Sequence, residues 1–230
     1  MTLKQTLAAL KKAGTAQNRK IYGRHGVTGD MFGVSYGELG KLKKKIKVDH
    51  DIAMGLWESG NHDARVLACM VADPDAMTAK QLDAWARDLD NYVVTDAFST
   101  MAVRSPHARR KADLWKNRKG EWVSCAGWNL VASLALGDDL DDAWCAEQIA
   151  LIARDIHVRP NRTRHSMNNA LIALGVRNGK LEKKARAAAK KIGRVEVDHG
   201  ETNCQTPDAD SYMTKTIAHK SARNKKRKRC

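Results

Sequence analysis

The chain has 230 residues, a net charge of +15 and only 5% aromatic residues. This length suits one large or two small domains and is enough to bury a substantial core. The charge favours a polyanionic partner, with nucleic acid ahead of an acidic membrane surface. Seven basic residues fall between Lys220 and Arg229, so a net charge of about +8 remains on the rest. The folded body is therefore expected to be basic itself.

The cysteines and the hydropathy indicate the compartment. The five cysteines are an odd number and lack CxxC spacing, which argues against a disulfide framework and for a reducing environment. Residues 1–12 lack the continuous apolar core of a signal peptide, and no segment approaches a membrane span of roughly 20 apolar residues. We expect a monomer in the cytoplasm, associated with the nucleoid and not with a membrane.

Helical periodicity recurs along the whole chain. Apolar residues repeat every three or four positions in six segments, which begin at Leu3, Leu39, Leu82, Cys145, Met167 and Leu181. No comparable run alternates with period two. Ser35 and Thr78 stand where helices should begin, and Gly137 and Gly193 stand where helices should end. The pattern predicts about ten helices joined by short turns, in either a helical solenoid or a bundle.

Residues 33–73 predict three short helices, the last two separated only by Ser59, Gly60 and Asn61. The sequences LWESG at 56–60 and HDARVLA at 62–68 resemble the opening repeats of the AlkD-like DNA alkylation-repair proteins. The resemblance extends over roughly residues 33–210. It implies an all-α fold, a curved solenoid or superhelix of HEAT-like antiparallel helix pairs, whose concave face holds double-stranded DNA with alkylated bases.

Three regions are predicted along the chain. Residues 1–193 carry the helical periodicity and are expected to form the HEAT-like domain. Residues 194–219 depart from it and are expected to form a C-terminal extension packed on that domain, ending in a short helix over Tyr212–His219. Residues 220–230 lack an apolar anchor and carry like charges, so we expect a disordered basic tail.

Tyr92 and Asp96 are the candidate centre of the site. A four-residue step places both side chains on one helical face. In the AlkD-like family an aromatic residue four positions before an Asp lines the damaged-base site, so the resemblance implies that Asp96 is catalytic and that Tyr92 contacts the base. A carboxylate can stabilise positive charge on the sugar and orient water. The residues alone favour the alternative of an Asp near the start of a helix with a Tyr packed beside it, and the resemblance on both sides of the pair favours the site.

The segment 121–128, EWVSCAGW, is the next match to the family. Members usually have a DNA-contacting basic residue at the position of Cys125, which a cysteine cannot replace. The resemblance implies that Trp122 and Cys125 lie at the substrate. Trp122 and Trp128 are large enough to fill the core between helices instead.

A basic segment follows at 159–169, RPNRTRHSMNN. Arg159, Arg162, Arg164 and His165 fall at a helix start, a favourable place for a DNA phosphate. The glycosylases of the family have a Trp close to the position of Asn169. Asn168 and Asn169 could bind a base, or they could cap and bridge neighbouring helices.

Two further basic runs support contact with the DNA backbone. One comprises Lys41, Lys43, Lys44, Lys45 and Lys47, and the other comprises Arg104, Arg109, Arg110, Lys111, Lys116, Arg118 and Lys119. Lysine-rich faces are often only solvated surface, but several such runs together favour a polyanion. Asp198, His199 and Cys204 lack the partners of a zinc site, so neither a metal nor a cofactor is expected.

These patterns lead to three hypotheses. The first is a DNA-binding alkylation-repair protein that hydrolyses the N-glycosidic bond of N3- or N7-alkylpurines. The second is a non-catalytic protein of the same fold that binds DNA structure, motivated by Cys125 and Asn169. The third is a protein-interaction scaffold, since solenoids also bind proteins.

Overall fold

The computed structural model describes residues 1–137 and 140–227, with side chains as far as residue 222. These residues form thirteen α-helices and a 3-10 helix at Ile156–Val158, without strands. The predicted all-α fold is confirmed. The helices are α1 (Leu3–Ala13), α2 (Ala16–Arg24), α3 (Tyr36–Ile46), α4 (His50–Glu58), α5 (His62–Val71), α6 (Ala79–Arg87), α7 (Tyr92–Ala102), α8 (Ala108–Trp115), α9 (Glu121–Leu134), α10 (Asp142–Asp155), α11 (Asn161–Gly175), α12 (Gly179–Ile192) and α13 (Ala209–Arg227).

Capping side chains set the helix starts as the sequence predicted. The Ser35 hydroxyl accepts from the backbone N–H of Glu38, and Thr78 forms a complete capping box with Gln81. Asn61 caps α5 through the backbone N–H groups of Asp63 and Ala64. Each cap satisfies donors that a helix start leaves without intrahelical partners. The three predicted helices within residues 33–73 are thus confirmed as α3, α4 and α5.

The chain divides into two compact units. The first unit comprises residues 1–114 and 199–203, and the second comprises 115–198 and the described residues from 204 onward. The boundary between the units falls near the end of α8, and residues 194–219 are divided between them.

Paired tryptophans mark the core of the first unit. The rings of Trp57 and Trp85 stack with their centroids 4.1 Å apart, and Phe98 packs at an angle beside them. The indole N–H of Trp57 donates to Asp88 at 2.9 Å, and the Arg65 guanidinium lies 5.3 Å from the Trp57 ring centre. Because the buried indole N–H has a partner, this large apolar cluster contains no unsatisfied donor at Trp57.

Helix α11 is the centre of the second unit, where it packs against α9, α12 and α13. Its core-facing side chains include Met167, Leu171 and Leu174, which are almost fully buried. A side chain at Gly175 would collide with Met213 of α13, so glycine at this position permits the close approach of the two helices.

Helix α13 is longer than the helix predicted over Tyr212–His219. It begins beside Asp208, whose carboxylate accepts from the backbone N–H of Ser211 at 2.8 Å, and it extends to Arg227. Buried Met213 anchors the first turns, and a helix that is already nucleated adds residues at little further cost. Residues 228–230 of the predicted tail lie outside the described residues.

Candidate nucleic-acid interface

Tyr92 and Asp96 lie on the surface of the first unit. Tyr92 is the first residue of α7, and Asn91 caps this helix by accepting from the backbone N–H of Val94 at 3.1 Å. Asp96, one turn later on the same face, is exposed, and Tyr92 is half-buried. Asp96 is therefore a surface residue of the first unit, where a ligand could approach it.

A histidine holds the Tyr92 ring. The Tyr92 hydroxyl hydrogen-bonds to Nδ1 of His25, the residue that ends α2, and the two rings meet edge to face at 5.8 Å. Sequence reasoning did not find His25, which lies 67 residues before Tyr92 in the chain. No local pattern connects residues this far apart.

Tyr36 is a second tyrosine at this surface. It is the first residue of α3, and 51% of its surface is exposed. Partial burial of the phenol raises the pKa of Tyr36 to about 12, and Tyr22, Asp96 and Tyr92 contribute in the same direction. Asp96 and Tyr36 both reach the surface of the first unit, and the charge of Asp96 is near enough to act on the pKa of Tyr36. Tyr36, Tyr92 and Asp96 together are called the tyrosine–aspartate patch below.

The buried carboxylate of Asp63 fixes the loop before Tyr36. Its two oxygens accept from the backbone N–H groups of Phe32 (2.7 Å), Gly33 (2.9 Å) and Val34 (2.8 Å). Gly33 has a φ of +79°, and a Cβ there would press on the carbonyl of Thr15. Only glycine fits this conformation without strain. Asp63 thus positions the segment that leads into α3, a role that its place in the HDARVLA motif did not indicate.

Tyr22 ties the same loop to α2 and gives the fold a pH dependence. Its hydroxyl donates to the carbonyl of Val34 at 2.5 Å, and burial followed by the charge of Asp63 raises the pKa of Tyr22 to about 12. An unfolded tyrosine ionises near pH 10. Between about pH 10 and 12 the unfolded chain loses this proton first, so the stabilisation present below pH 10 is lost as the pH rises.

We predict that Tyr22→Phe lowers the free energy of unfolding by about 1 kcal/mol near neutral pH, because it removes the hydrogen bond. Above about pH 10 the wild type should lose stability faster than the variant, which has no phenol to ionise at this position. Urea unfolding followed by circular dichroism at several pH values measures both curves. Parallel curves from about pH 8 to 11 would contradict this account.

Five lysines of α3 and its C-terminal cap are all exposed. They are called the lysine cluster below and comprise Lys41, Lys43, Lys44, Lys45 and Lys47. Lys41 pairs with Glu38 at 2.6 Å, while the buried face of the helix carries Leu39, Leu42 and Ile46. The helix that begins at Tyr36 therefore presents a dense positive charge to solvent.

The second predicted basic run is divided between surface and interior. Arg104, Arg109, Arg110, Arg118 and Lys119 are exposed. Lys111, however, is buried and pairs with Asp83 at 2.7 Å. Lys116 is buried as well, with its ammonium 5.6 Å from the centre of the Trp144 ring. The ion pair with Asp83 holds Lys111 inside the fold, and packing on the Trp144 ring holds Lys116 there.

In the predicted basic cluster at the start of α11, Arg159 is held by groups of the turn between α8 and α9. Nη2 of Arg159 lies within hydrogen-bonding distance of the carbonyls of Lys116 (2.6 Å) and Arg118 (3.0 Å) and the hydroxyl of Ser124 (2.6 Å). Arg159 thus holds the turn between α8 and α9. The remaining members are half-buried at the surface of the second unit: Arg162, Arg164 and His165.

The other predicted substrate contacts also lie in the second unit. Cys125 is 2% exposed, and its thiol contacts the hydroxyl of Ser166 at 2.9 Å. Asn168 is buried and donates to the carbonyl of Pro207 at 2.9 Å. Trp122 and Asn169 are half-buried. Cys125 and Asn168 therefore bridge elements of the fold, and only Trp122 and Asn169 retain surface that a ligand could reach.

Within residues 1–137 and 140–227, no group of three His, Cys, Asp or Glu side chains could hold a metal ion. None of the described helices is both long and apolar enough to cross a membrane.

Comparison with known proteins decides the family. A family model described as DNA alkylation repair enzyme matches residues 3–206. The chain belongs to this family. The resemblance found in the sequence over roughly residues 33–210 is thereby confirmed and extended toward the N-terminus.

Relatives of this DNA alkylation repair family member match nearly end to end. An uncharacterised protein of Listeria innocua is 29% identical over 221 residues, covering 91% of this chain and 93% of its own, and one of Listeria monocytogenes matches equally. A solved structure represents a new family of proteins related to the HEAT-like repeat DNA glycosylases with affinity for branched DNA structures. It is 28% identical, covers 95% of both chains and superposes with a TM-score of 0.86, so the predicted HEAT-like repeat fold is confirmed.

Proposed function

We propose that this protein binds DNA and prefers branched or partly unpaired DNA to the plain duplex. The observation that carries the proposal is the likeness, at 28% identity and a TM-score of 0.86, to a protein with affinity for branched DNA structures. The net charge of +15 supports it independently, because DNA binding draws on cationic side chains that neutralise phosphates.

Contact with the DNA backbone is assigned to side chains that reach solvent. In the first unit these are the lysine cluster, which follows Tyr36 along α3. In the second unit they are Arg118, Arg162, Arg164 and His165. Two predicted contacts are not assigned to the DNA backbone. The guanidinium of Arg159 is engaged by backbone carbonyl oxygens, and the ammonium of Lys116 is buried away from solvent. Tyr36 and Tyr92 offer aromatic surface on which an unpaired base can stack.

Salt dependence tests the electrostatic part of this proposal. A fluorescently labelled four-way junction should bind with an affinity that falls steeply, by about 10³-fold or more between about 50 and 200 mM salt, if six or more phosphates are contacted. An affinity that salt leaves unchanged, or no binding at about 50 mM, would count against it.

A second candidate function, excision of alkylated purines, is favoured by the surface residue Asp96, which lies one helical turn after Tyr92 on α7. In this reaction water adds to C1′ of the deoxyribose, the N-glycosidic bond breaks, and the base leaves with the bonding electron pair. The water gives up a proton. An alkylpurine bearing positive charge becomes neutral on leaving, so the sugar carries the developing charge. Asp96 would stabilise that charge and orient the water, and the tyrosine rings would contact the cationic base.

If excision occurs, we expect Asp96→Asn to slow it by about 10²- to 10³-fold, the usual effect of removing one electrostatic group from a catalytic site. Release of N3- and N7-methylpurines from treated duplex DNA, with protein in excess, gives the rate. Thr100→Ala is the matched control, since Thr100 is exposed one turn later on α7 and donates only to the carbonyl of Asp96. Equal rates for wild type and Asp96→Asn would eliminate this candidate.

A further inference from the structure

A groove in the second unit lies between α11, α13 and the segment that joins α12 to α13. Its volume is about 520 Å³. This falls in the range in which proteins hold small organic ligands of nucleotide size. The groove is separate from the tyrosine–aspartate patch, which belongs to the first unit, and neither candidate function above uses it.

The floor of the groove is apolar and its edge carries amides. Ile172, Ala173 and Val176 of α11 provide the apolar surface, and the carboxamides of Asn169 and Gln205 provide donors and acceptors beside it. None of the nine described residues that line the groove is acidic. The edge of a nucleobase likewise presents donors and acceptors around a flat apolar face.

One face of α13 completes the groove with an aromatic ring, a hydroxyl and a cation. Tyr212, Thr216 and Lys220 follow one another at four-residue intervals, which places them in a row on the helix. Tyr212 and Thr216 line the groove, and 50% of the Tyr212 surface is exposed. The Lys220 ammonium donates to the carbonyl of Val176 at 3.2 Å, so it lies at the end of the groove.

The surroundings of the groove are held in place before any ligand binds. His165 contacts the Thr206 hydroxyl at 3.0 Å and Asn168 donates to the carbonyl of Pro207, which fastens the connecting segment to α11. Arg177 donates to the carbonyl of Ala135 at 2.6 Å, which fixes the backbone next to Leu136 at the rim. A site whose walls are already ordered loses less entropy on binding.

We propose that this groove holds an unpaired base of a DNA strand, stacked on Tyr212, with Asn169 and Gln205 at the base edge and Lys220 near a phosphate. This inference rests on the proposed DNA binding. It adds that the second unit recognises the unpaired base, which branched and gapped DNA expose. Base–aromatic stacking tolerates any sequence, since every base has a π face. A purely aliphatic partner would cover the two carboxamides without satisfying them, which disfavours such an occupant.

The test compares wild type, Tyr212→Ala and Tyr212→Phe on a fully paired duplex and on the same duplex with a short single-stranded gap containing 2-aminopurine. Wild type and Tyr212→Phe should quench the 2-aminopurine fluorescence and prefer the gapped DNA. Tyr212→Ala should lose about tenfold in affinity for the gapped DNA, with no quenching and unchanged affinity for the duplex. The half-exposed position of Tyr212 leaves the fold intact in both variants.

Several results would overturn the proposal. If all three proteins bind both DNAs alike, the groove holds no base although DNA binding stands. If wild type binds neither DNA, the proposed function fails and this inference fails with it. If deoxyadenosine monophosphate binds as tightly as the gapped DNA and depends on Tyr212, the ligand is a free nucleotide. If sedimentation shows a dimer that Tyr212→Ala dissociates, a second copy of the chain occupies the groove.

Discussion

Replacing all five residues of the lysine cluster with Gln weakens binding to a four-way junction by on the order of 100-fold near 100 mM salt. The change lowers the net charge from +15 to +10 and removes the cations that follow Tyr36 along α3. Each lysine that contacts a phosphate should also reduce the slope of log affinity against log salt by about one. Fluorescence anisotropy with labelled DNA at several salt concentrations measures both quantities.

A matched control separates position from net charge. Exposed lysines outside this cluster, on α1 and α12, are replaced in a second variant with the same charge change: Lys4, Lys11, Lys12, Lys180 and Lys184. We expect this control to lose about tenfold less affinity than the cluster variant and to keep a steeper salt slope. Equal losses in the two variants would mean that only overall charge matters and that α3 is no specific DNA contact.

Asp63→Asn lowers the free energy of unfolding by about 3 kcal/mol, because three backbone N–H groups lose a charged acceptor and one of them faces an amide N–H₂ instead. Gly33 and Val34 are buried, so water cannot replace the lost bonds. Urea unfolding followed by tryptophan fluorescence gives the free energy of each protein.

The control for Asp63→Asn is Asp113→Asn, at an exposed carboxylate that pairs with Arg109 at 3.0 Å one turn earlier on α8. An exposed pair of this kind contributes about 0.5 kcal/mol. The two substitutions are chemically identical, so the difference between them reports burial and backbone contacts. Losses of similar size would show that Asp63 does not hold the loop before α3.

The helices could be predicted because their signals are local. Leu39, Leu42 and Ile46 recur at helical spacing, and Ser35 and Thr78 cap through backbone groups three residues away. The four-residue step from Tyr92 to Asp96 likewise predicts that both side chains lie on one face of a helix, here α7. The family could be recognised from the sequence for a related reason, since the segments LWESG at 56–60 and HDARVLA at 62–68 are themselves short local patterns.

The partners and the burial of the predicted site residues depend on contacts between residues that are distant in the sequence. His25 meets Tyr92 across 67 positions, and the charge of Asp96 reaches Tyr36 although the two residues are 60 positions apart. Burial of Lys116 and the partners of Arg159 likewise follow from how the turn between α8 and α9 folds back. Composition marks these residues as basic, and only tertiary packing determines whether their charge reaches solvent.

The extent of α13 shows the same limit. A run of like charges with no apolar anchor predicts disorder, and the sequence from 220 onward fits that description. The helix begins upstream of the charged run, where Asp208 caps its first turn and Met213 is buried. A segment's own composition therefore does not decide its structure when a neighbouring segment supplies the nucleus.

A competition experiment tests the central claim most directly. Unlabelled four-way junction and unlabelled duplex of the same sequence each displace a labelled junction from the wild-type protein, at about 100 mM salt. The proposed function predicts that both displace it and that the junction does so at a concentration about tenfold lower or more, a typical margin for recognition of DNA structure over backbone charge alone. Equal displacement by the two DNAs, or no binding of the labelled junction, would contradict it.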